Sequence, residues 1–279
     1  MGLRIGTNVT ALNAQKALWG TKNKMDTAMA RLSSGNRINK ASDDAAGLAI
    51  SENMKAQMRG LKQANRNAQD GISMIQTAEG SLGEVSNMLI RLRELGVQAA
   101  SDTIGDRERG LANIEYSQLL EEIDRITGSS EFNGTPLLNG QSGLLDFQIG
   151  VKNSVDFDRI SFNAGQADAG TTALGLDLTN IRDKVSAQTC LSNIDGAINY
   201  VNQLRAGFGA IQNRLNSTVE GLQTNLENLS ASNSRIRDAD IAEESTELAK
   251  QNILLQAGTS VLSQANQQPG LALQLLSKG

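Results

Sequence analysis

The sequence predicts a mainly α fold, a long antiparallel coiled-coil bundle interrupted by a small β-hairpin. Two matched apolar strings predict it. The first runs Met54, Met58, Leu61, Ala64, Ala68, Ile72, Ile75, Ala78, Leu82, Val85, Leu89 and Leu92, its steps averaging about 3.5 residues, the spacing that keeps one helix face against a partner helix. Leu191, Ile194, Ile198, Val201, Leu204, Phe208, Ile211, Leu215, Val219, Leu222, Leu226 and Leu229 repeat that length and period. A third observation is composition: aromatics are 3% of the chain and glycines number 27, too little bulk for a wide globular core. The strings should therefore pack on one another in a thin rod.

The elements follow in order. Leu3, Ile5, Val9, Leu12, Leu18, Met25, Met29 and Leu32 mark an amphipathic helix over residues 3 to 32, broken by Gly35 and Asn36. Ser42 with Asp43 and Asp44 supplies a cap and first-turn negative charge for a second helix reaching about Ser101, roughly 90 Å at 1.5 Å per residue. A third helix is read from Asp106 to Arg125, with Leu111, Ile114, Leu119, Ile123 and Ile126 on one side and Gly128 as its stop. The stretch EFNGTPLLNGQSG at 131–143 carries turn signals. Beyond it, alternation of Phe147, Ile149 and Val151, then Val155 with Phe157 and Ile160 with Phe162, predicts a hairpin turning at Lys152-Asn153-Ser154, near 141–165. Residues 163–178 read as loop. The second long helix should start near Leu178 to Arg182, and a last one should run through Ile241, Leu248, Leu255, Val261 and Leu262, ending at Pro269-Gly270 before the tail Leu271, Leu273, Leu275 and Leu276. Gly47, Gly60, Gly71, Gly80 and Gly83 each weaken an exposed helix by up to about 1 kcal/mol, and read as tolerated at close helix contacts.

Composition excludes most chemistry. The chain has no histidine and one cysteine, and Cys190 precedes the second string as a small packed side chain. An enzymatic role is disfavoured, and with it any catalytic residue, metal or cofactor. A net charge of −4 spread along helices gives no basic stripe for nucleic acid. There is no apolar run long enough for a membrane span, and MGLRIGTNVTALNAQ lacks the apolar segment of a secretory signal.

Four segments carry a family resemblance. RLSSGNRINKASDDAAGLAISE at 31–52, RNAQDGISMIQTAEGSLGEVSNMLIRLRELGVQAASD at 66–102, EFNGTPLLNG at 131–140 and SRIRDADIAEESTELAKQNILLQAGTSVLSQAN at 234–266 resemble bacterial flagellin in its short form, without large outer domains. The resemblance implies an N-terminal inner-core helix over 1–40, an outer helical bundle with the hairpin over 41–235, and a C-terminal inner-core helix over 236–279. It implies self-assembly of many copies into the tubular helical filament of the flagellum, with the paired terminal helices lining its inner layer. Leu3, Ile5, Val9, Leu12, Leu255, Leu262, Leu271, Leu273, Leu275 and Leu276 are the assembly residues on that reading. Further partners implied are the flagellar export apparatus, an export chaperone, the filament cap and hook-junction proteins, with type III export that leaves no cleaved signal and an extracellular location.

The family also implies recognition of the monomer by a Toll-like receptor. RLRELGVQ and NIEYSQLLEEIDR place that role on Arg91, Leu95 and Glu115, with Ile90 where the family often has glutamine. On residue chemistry alone Arg91 and Glu115 suit solvated helix charges and Leu95 suits packing. Two other functions fit the heptads: a hook–filament junction protein, and an intracellular coiled-coil scaffold.

Overall fold

The computed structural model describes residues 7–277, with side-chain surroundings over 7–268. Six helices, α1 (Val9–Ser34), α2 (Ala45–Ala99), α3 (Asp106–Ser129), α4 (Val155–Asp158), α5 (Lys184–Arg237) and α6 (Ile241–Ser277), dominate the described chain. Four short strands, β1 (Glu131–Phe132), β2 (Thr135–Pro136), β3 (Leu144–Gln148) and β4 (Arg159–Asn163), form two antiparallel pairs, β1–β2 and β3–β4. The chain divides into two compact units, residues 57–227 and the pair of segments 1–56 with 228–279. Helices α2 and α5 contribute to both.

In the 57–227 unit the two apolar strings form the core. Leu82, Val85, Leu89 and Leu92 of α2 and Ile194, Val201 and Leu215 of α5 are fully buried. Ion pairs give their direction: Arg93 bonds Asp195 at 2.7 Å and Glu79 lies 3.9 Å from Arg205, so residue numbers fall along α5 as they rise along α2. These pairs are half-exposed and contribute little beside the buried apolar area. Phe162 of β4 stacks at a tilt on Phe208, ring centroids 5.1 Å apart, and joins the hairpin to the same core.

Glycines seat that hairpin. A methyl group at Gly60 would collide with Val151, and one at Gly71 would lie 2.9 Å from the Phe147 ring. Asn67 Nδ2 donates to the Gln148 carbonyl at 3.0 Å between them. The two positions thus face strand and loop, whereas Gly96 meets Leu191 of α5 and Gly80 and Gly83 face open space.

Arg109 makes the corner between α2 and α3. Only 7% exposed, it donates from Nε to the Ala99 carbonyl at 2.8 Å, from Nη2 to the Ser101 carbonyl at 2.9 Å, and from Nη1 to Asp106 at 2.7 Å. A fixed cation here satisfies carbonyls that a helix end leaves without partners.

In the other unit, α1 and α6 run antiparallel. Asn8 Nδ2 donates to the Ala265 carbonyl at 2.8 Å, Gly258 admits the Leu18 side chain, and Arg31 bonds Glu244 at 2.8 Å. Gly35, at φ 70°, ends α1 in the left-handed conformation glycine favours, its N–H donating to the Arg31 carbonyl at 2.8 Å.

Several local expectations change. Asp44, not Ser42, caps α2, its Oδ1 accepting from the Gly47 N–H at 2.8 Å; Asp43 accepts from the Asn39 and Lys40 N–H groups instead, which holds its carboxyl below the usual range. Helix α2 spans 55 residues, so it is roughly 80 Å long. Helix α3 runs past Gly128 to Ser129, and Leu111 and Ile114 face outward, 64% and 61% exposed. The hairpin pairs Phe147 with Ile160 and Leu145 with Phe162; Val155 and Phe157 lie in the α4 turn that links the strands, because Asp158 collects the Ser154 N–H and tightens that link. Asn133-Gly134, both at positive φ, make the tight turn of β1–β2.

The 163–178 stretch lacks long elements yet packs: Ala164, Ala167, Ala169, Leu174 and Leu176 are buried. Helix α5 begins only at Lys184, where Asp183 accepts from the Ser186 N–H at 3.0 Å, and Leu178 is left 92% exposed. Helix α6 continues through Pro269-Gly270 to Ser277; a proline removes one donor, and the turns on either side keep their own bonds.

Candidate functional site

Two surfaces carry the residues singled out above. The first lies on α2 and α3. Arg91 Nε donates to Glu115 Oε1 at 2.8 Å and its Nη1 to Glu94 Oε2 at 2.9 Å, so α2 and α3 are joined by one guanidinium between two carboxylates. Those bonds, to Glu115 first and Glu94 second, raise the Arg91 pKa further. Both members of the Arg91–Glu115 pair are about half-exposed. Leu95 belongs to the core beneath them, 3% exposed. The structure therefore brings Arg91 and Glu115 together at the surface and places Leu95 under it.

Four large apolar side chains of these helices within the 57–227 unit were not anticipated at a surface. Ile90 and Val97 are half-exposed on α2, and Leu111 and Ile114 more so on α3. A signal for the α2 pair did exist: Ile90 and Val97 are seven residues apart and out of phase with the buried Leu89, Leu92 and Leu95.

The second surface belongs to the α1–α6 pair. Leu255 and Leu262 are half-buried, while Val9, Leu12, Trp19, Ile253 and Val261 are all more than half-exposed. Leu3 and Ile5 fall outside the described residues. Leu271, Leu273, Leu275 and Leu276 fall in the last turns of α6, beyond the described side chains. Pairing α1 with α6 covers one face of each helix and leaves a second apolar face uncovered, more than a monomer gains from exposing.

Chemistry has little to work with. Among the described residues no three His, Cys, Asp or Glu side chains converge to hold a metal, and no helix is long and apolar enough to cross a membrane. Cys190 is buried, with the Tyr116 hydroxyl 2.9 Å from its sulfur. Burial pushes both the thiol and the phenol pKa up, which keeps the thiol protonated and inert.

Known proteins with this pattern can now be named. Residues 5–143 match the family model for the bacterial flagellin N-terminal helical region, and residues 191–276 match that for the C-terminal helical region. A flagellin of Halalkalibacterium halodurans is 44% identical over 272 residues, 98% of this chain and 99% of its own length. The chain belongs to the bacterial flagellin family. Another flagellin, from Bacillus subtilis, is 44% identical over 304 residues, covering 98% of this chain and all of that protein, and the flagellar filament 33 kDa core protein of Treponema phagedenis is 43% identical over 284 residues, 98% of this chain and 99% of its own. The crystal structure of Bacillus cereus flagellin overlays with a TM-score of 0.51 at 32% identity, over 56% of this flagellin and 88% of that chain. A putative flagellar hook-associated protein from Vibrio parahaemolyticus matches the fold with a TM-score of 0.57 at 14% identity, over 70% of this chain and all of that one. The segment between the two family models, 144–190, holds the β3–β4 hairpin and the packed loop.

Proposed function

We propose that this chain is the structural subunit of a bacterial flagellar filament, a helical homopolymer that serves as the propeller of swimming cells. Membership of the flagellin family over nearly the whole length carries the reading, and neither a junction protein nor an intracellular scaffold shares that support. The uncovered apolar face of the α1–α6 pair, including Val9 and Leu12, is what assembly would bury, with Leu3, Ile5, Leu255, Leu262 and the Leu271–Leu276 tail adding to an inner layer. Burial among identical copies offsets the entropy of ordering such helices. The protein acts outside the cell as a structural element rather than an enzyme, and reaches that place through the flagellar export apparatus without a cleaved signal, assisted by a chaperone and meeting cap and hook-junction proteins.

Electron microscopy of purified protein seeded with filament fragments tests this. Wild-type chain should elongate the seeds into tubes, and removal of Leu271–Gly279 should abolish elongation while the helical melt of the remainder stays nearly unchanged. A truncated chain that elongates normally refutes the assignment of the tail.

A second role is favoured by the Arg91–Glu115 pair, which sets two of the three receptor residues side by side on an exposed surface. On this reading the free monomer is a ligand for a Toll-like receptor, with Arg91 and Glu115 contacting it and Leu95 holding α2 and α3 in place from below. Arg91→Ala monomer should signal more weakly than wild type at equal concentration, with an unchanged melt. Equal signalling would remove the role.

A further inference from the structure

The 57–227 unit holds two Asn-Gly steps, Asn133-Gly134 and Asn139-Gly140. In such a step the asparagine side-chain carbonyl carbon lies within reach of the next backbone nitrogen, and glycine has no Cβ to block the approach. Attack of that nitrogen closes a succinimide ring and expels ammonia. The two steps share this chemistry, yet the fold puts them in opposite surroundings.

Asn133 and Gly134 are exposed at the tip of the β1–β2 turn. Asn133 sits at φ 49°, the one non-glycine at positive φ among the described residues, a conformation that costs an L-residue energy. Nothing lies within 4 Å of the position a Gly134 Cβ would take. Among the described residues neither the Asn133 amide nor the Gly134 N–H forms a hydrogen bond. Strands β1 and β2 are two residues each, a pairing too short to hold the turn closed by itself. The tip therefore opens locally, leaving the core intact, and Asn133 can rotate until the Gly134 nitrogen meets its side-chain carbon.

Asn139 is held. Its Oδ1 accepts from the Gln141 N–H at 3.0 Å, so the side-chain carbonyl is committed to a local turn. The residue also forms a bridge with Asp168, and beside it the Ala169 N–H donates to the Leu138 carbonyl at 3.0 Å. Leu137, Leu138 and Ala169 are buried around it, and the Asp168 side chain crowds Gly140 at 3.1 Å. Rotating Asn139 toward the Gly140 nitrogen breaks the bond to Gln141 and disturbs a packed segment.

We propose that Asn133 is a site of spontaneous deamidation and isoaspartate formation in the native subunit, and that Asn139 is protected from it. The Gly134 nitrogen gives its proton to water and bonds to the Asn133 side-chain carbonyl carbon; the bond from that carbon to Nδ2 breaks, and ammonia leaves with a proton from solvent. Water then opens the ring. Cleavage on the side-chain side yields aspartate, and cleavage on the main-chain side yields isoaspartate, so the balance is asparagine plus water to an acid plus ammonia with no redox change. Isoaspartate adds a methylene to the main chain of a two-residue turn and places a carboxylate near Glu131, which unfits the turn for the Phe132–Thr135 pairing. The partner this chemistry fits is an enzyme that methylates isoaspartyl carboxylates. The inference concerns a single copy and stands whether or not copies assemble.

Ageing the full-length monomer tests it. Wild-type protein is kept in warm, mildly alkaline buffer, sampled over days and digested, and tandem mass spectrometry assigns the amide-to-acid mass gain to Asn133 or Asn139. In native protein Asn133 should convert at least about tenfold faster than Asn139, the factor expected when one site must first give up a hydrogen bond and a packed bridge. In denaturant the two should convert at similar rates, because only the fold distinguishes them. An isoaspartyl methyltransferase with labelled S-adenosylmethionine gives a second readout: aged native wild type should take up methyl groups, and aged Asn133→Gln, whose longer side chain closes its ring far more slowly, should lose most of that uptake. No conversion at Asn133 in native protein overturns the proposal. So does conversion of Asn139 at the same pace, or undiminished methylation of the Asn133→Gln chain.

Discussion

Replacing Gly71 and Gly80 of α2 by alanine, one at a time, should shift stability in opposite directions although the two positions are nine residues apart on one helix. At Gly80 nothing lies within 4 Å of a new methyl group, so the change adds only helix propensity, about 1 kcal/mol. Gly71 is different. There the methyl would lie 2.9 to 3.2 Å from three atoms of the Phe147 ring, which is half-buried in a paired strand and cannot simply swing away. Overpacking of this kind costs about 1–3 kcal/mol, and after the propensity gain the net is a loss of up to about 2 kcal/mol. The two variants should therefore differ by roughly 1–3 kcal/mol, or several degrees in Tm for a unit of this size. Circular dichroism melts and urea midpoints read the difference. Truncating the ring in a Gly71→Ala/Phe147→Ala chain should cancel the clash, so the double-mutant cycle should show coupling of at least about 0.5 kcal/mol. Equal stabilisation by both alanines would refute the idea that the glycine is a seat for the hairpin.

Other outcomes follow from single observations. Ile75→Asp or Leu222→Asp places an unpaired carboxylate in the α2–α5 core, where Ile75 is 1% and Leu222 8% exposed, and should cost several kcal/mol; unchanged melts for both would remove the pairing. Asp43, whose pKa is lowered by the Lys40 and Asn39 N–H groups from the ordinary 3.8, contributes stability that is complete above the ordinary value and is lost as pH falls through the depressed one. Acid melts of wild type and Asp43→Asn should converge as pH drops below about 4, and parallel curves would refute the link. Thiol labelling of Cys190 should be far slower in native protein than in denaturant, because the sulfur is buried and its pKa is raised; equal rates would show that it is open to solvent.

The long helices could be read from the sequence because burial there repeats with one period over many turns, and Leu82, Val85, Leu89 and Leu92 on α2 and Ile194, Val201 and Phe208 on α5 are buried as the strings require. Helix α3 misled for the same reason in reverse. Leu111 and Ile114 fit a helical face, yet spacing cannot say whether that face meets the core or another molecule. The role of Gly60 and Gly71 was hidden because their neighbours, Val151 and Phe147, come from a strand and loop about 75–90 positions later. Asn133-Gly134 did carry a readable hairpin signal, and the short β1–β2 pair there is what it encodes. Arg91 and Glu115 came from family likeness alone; their adjacency is a tertiary fact that no local pattern records.

Arg109 has one more consequence. Long helices usually fray from their ends, and α2 has 55 residues over which fraying could spread. At the Ala99 end a guanidinium from the following helix holds the Ala99 and Ser101 carbonyls. Opening that end means first pulling Arg109, and so the first turn of α3, out of a buried position. Helix and reversal therefore melt as one cooperative block, and twisting strain on α2 passes round the corner into α3 instead of being lost at a loose terminus.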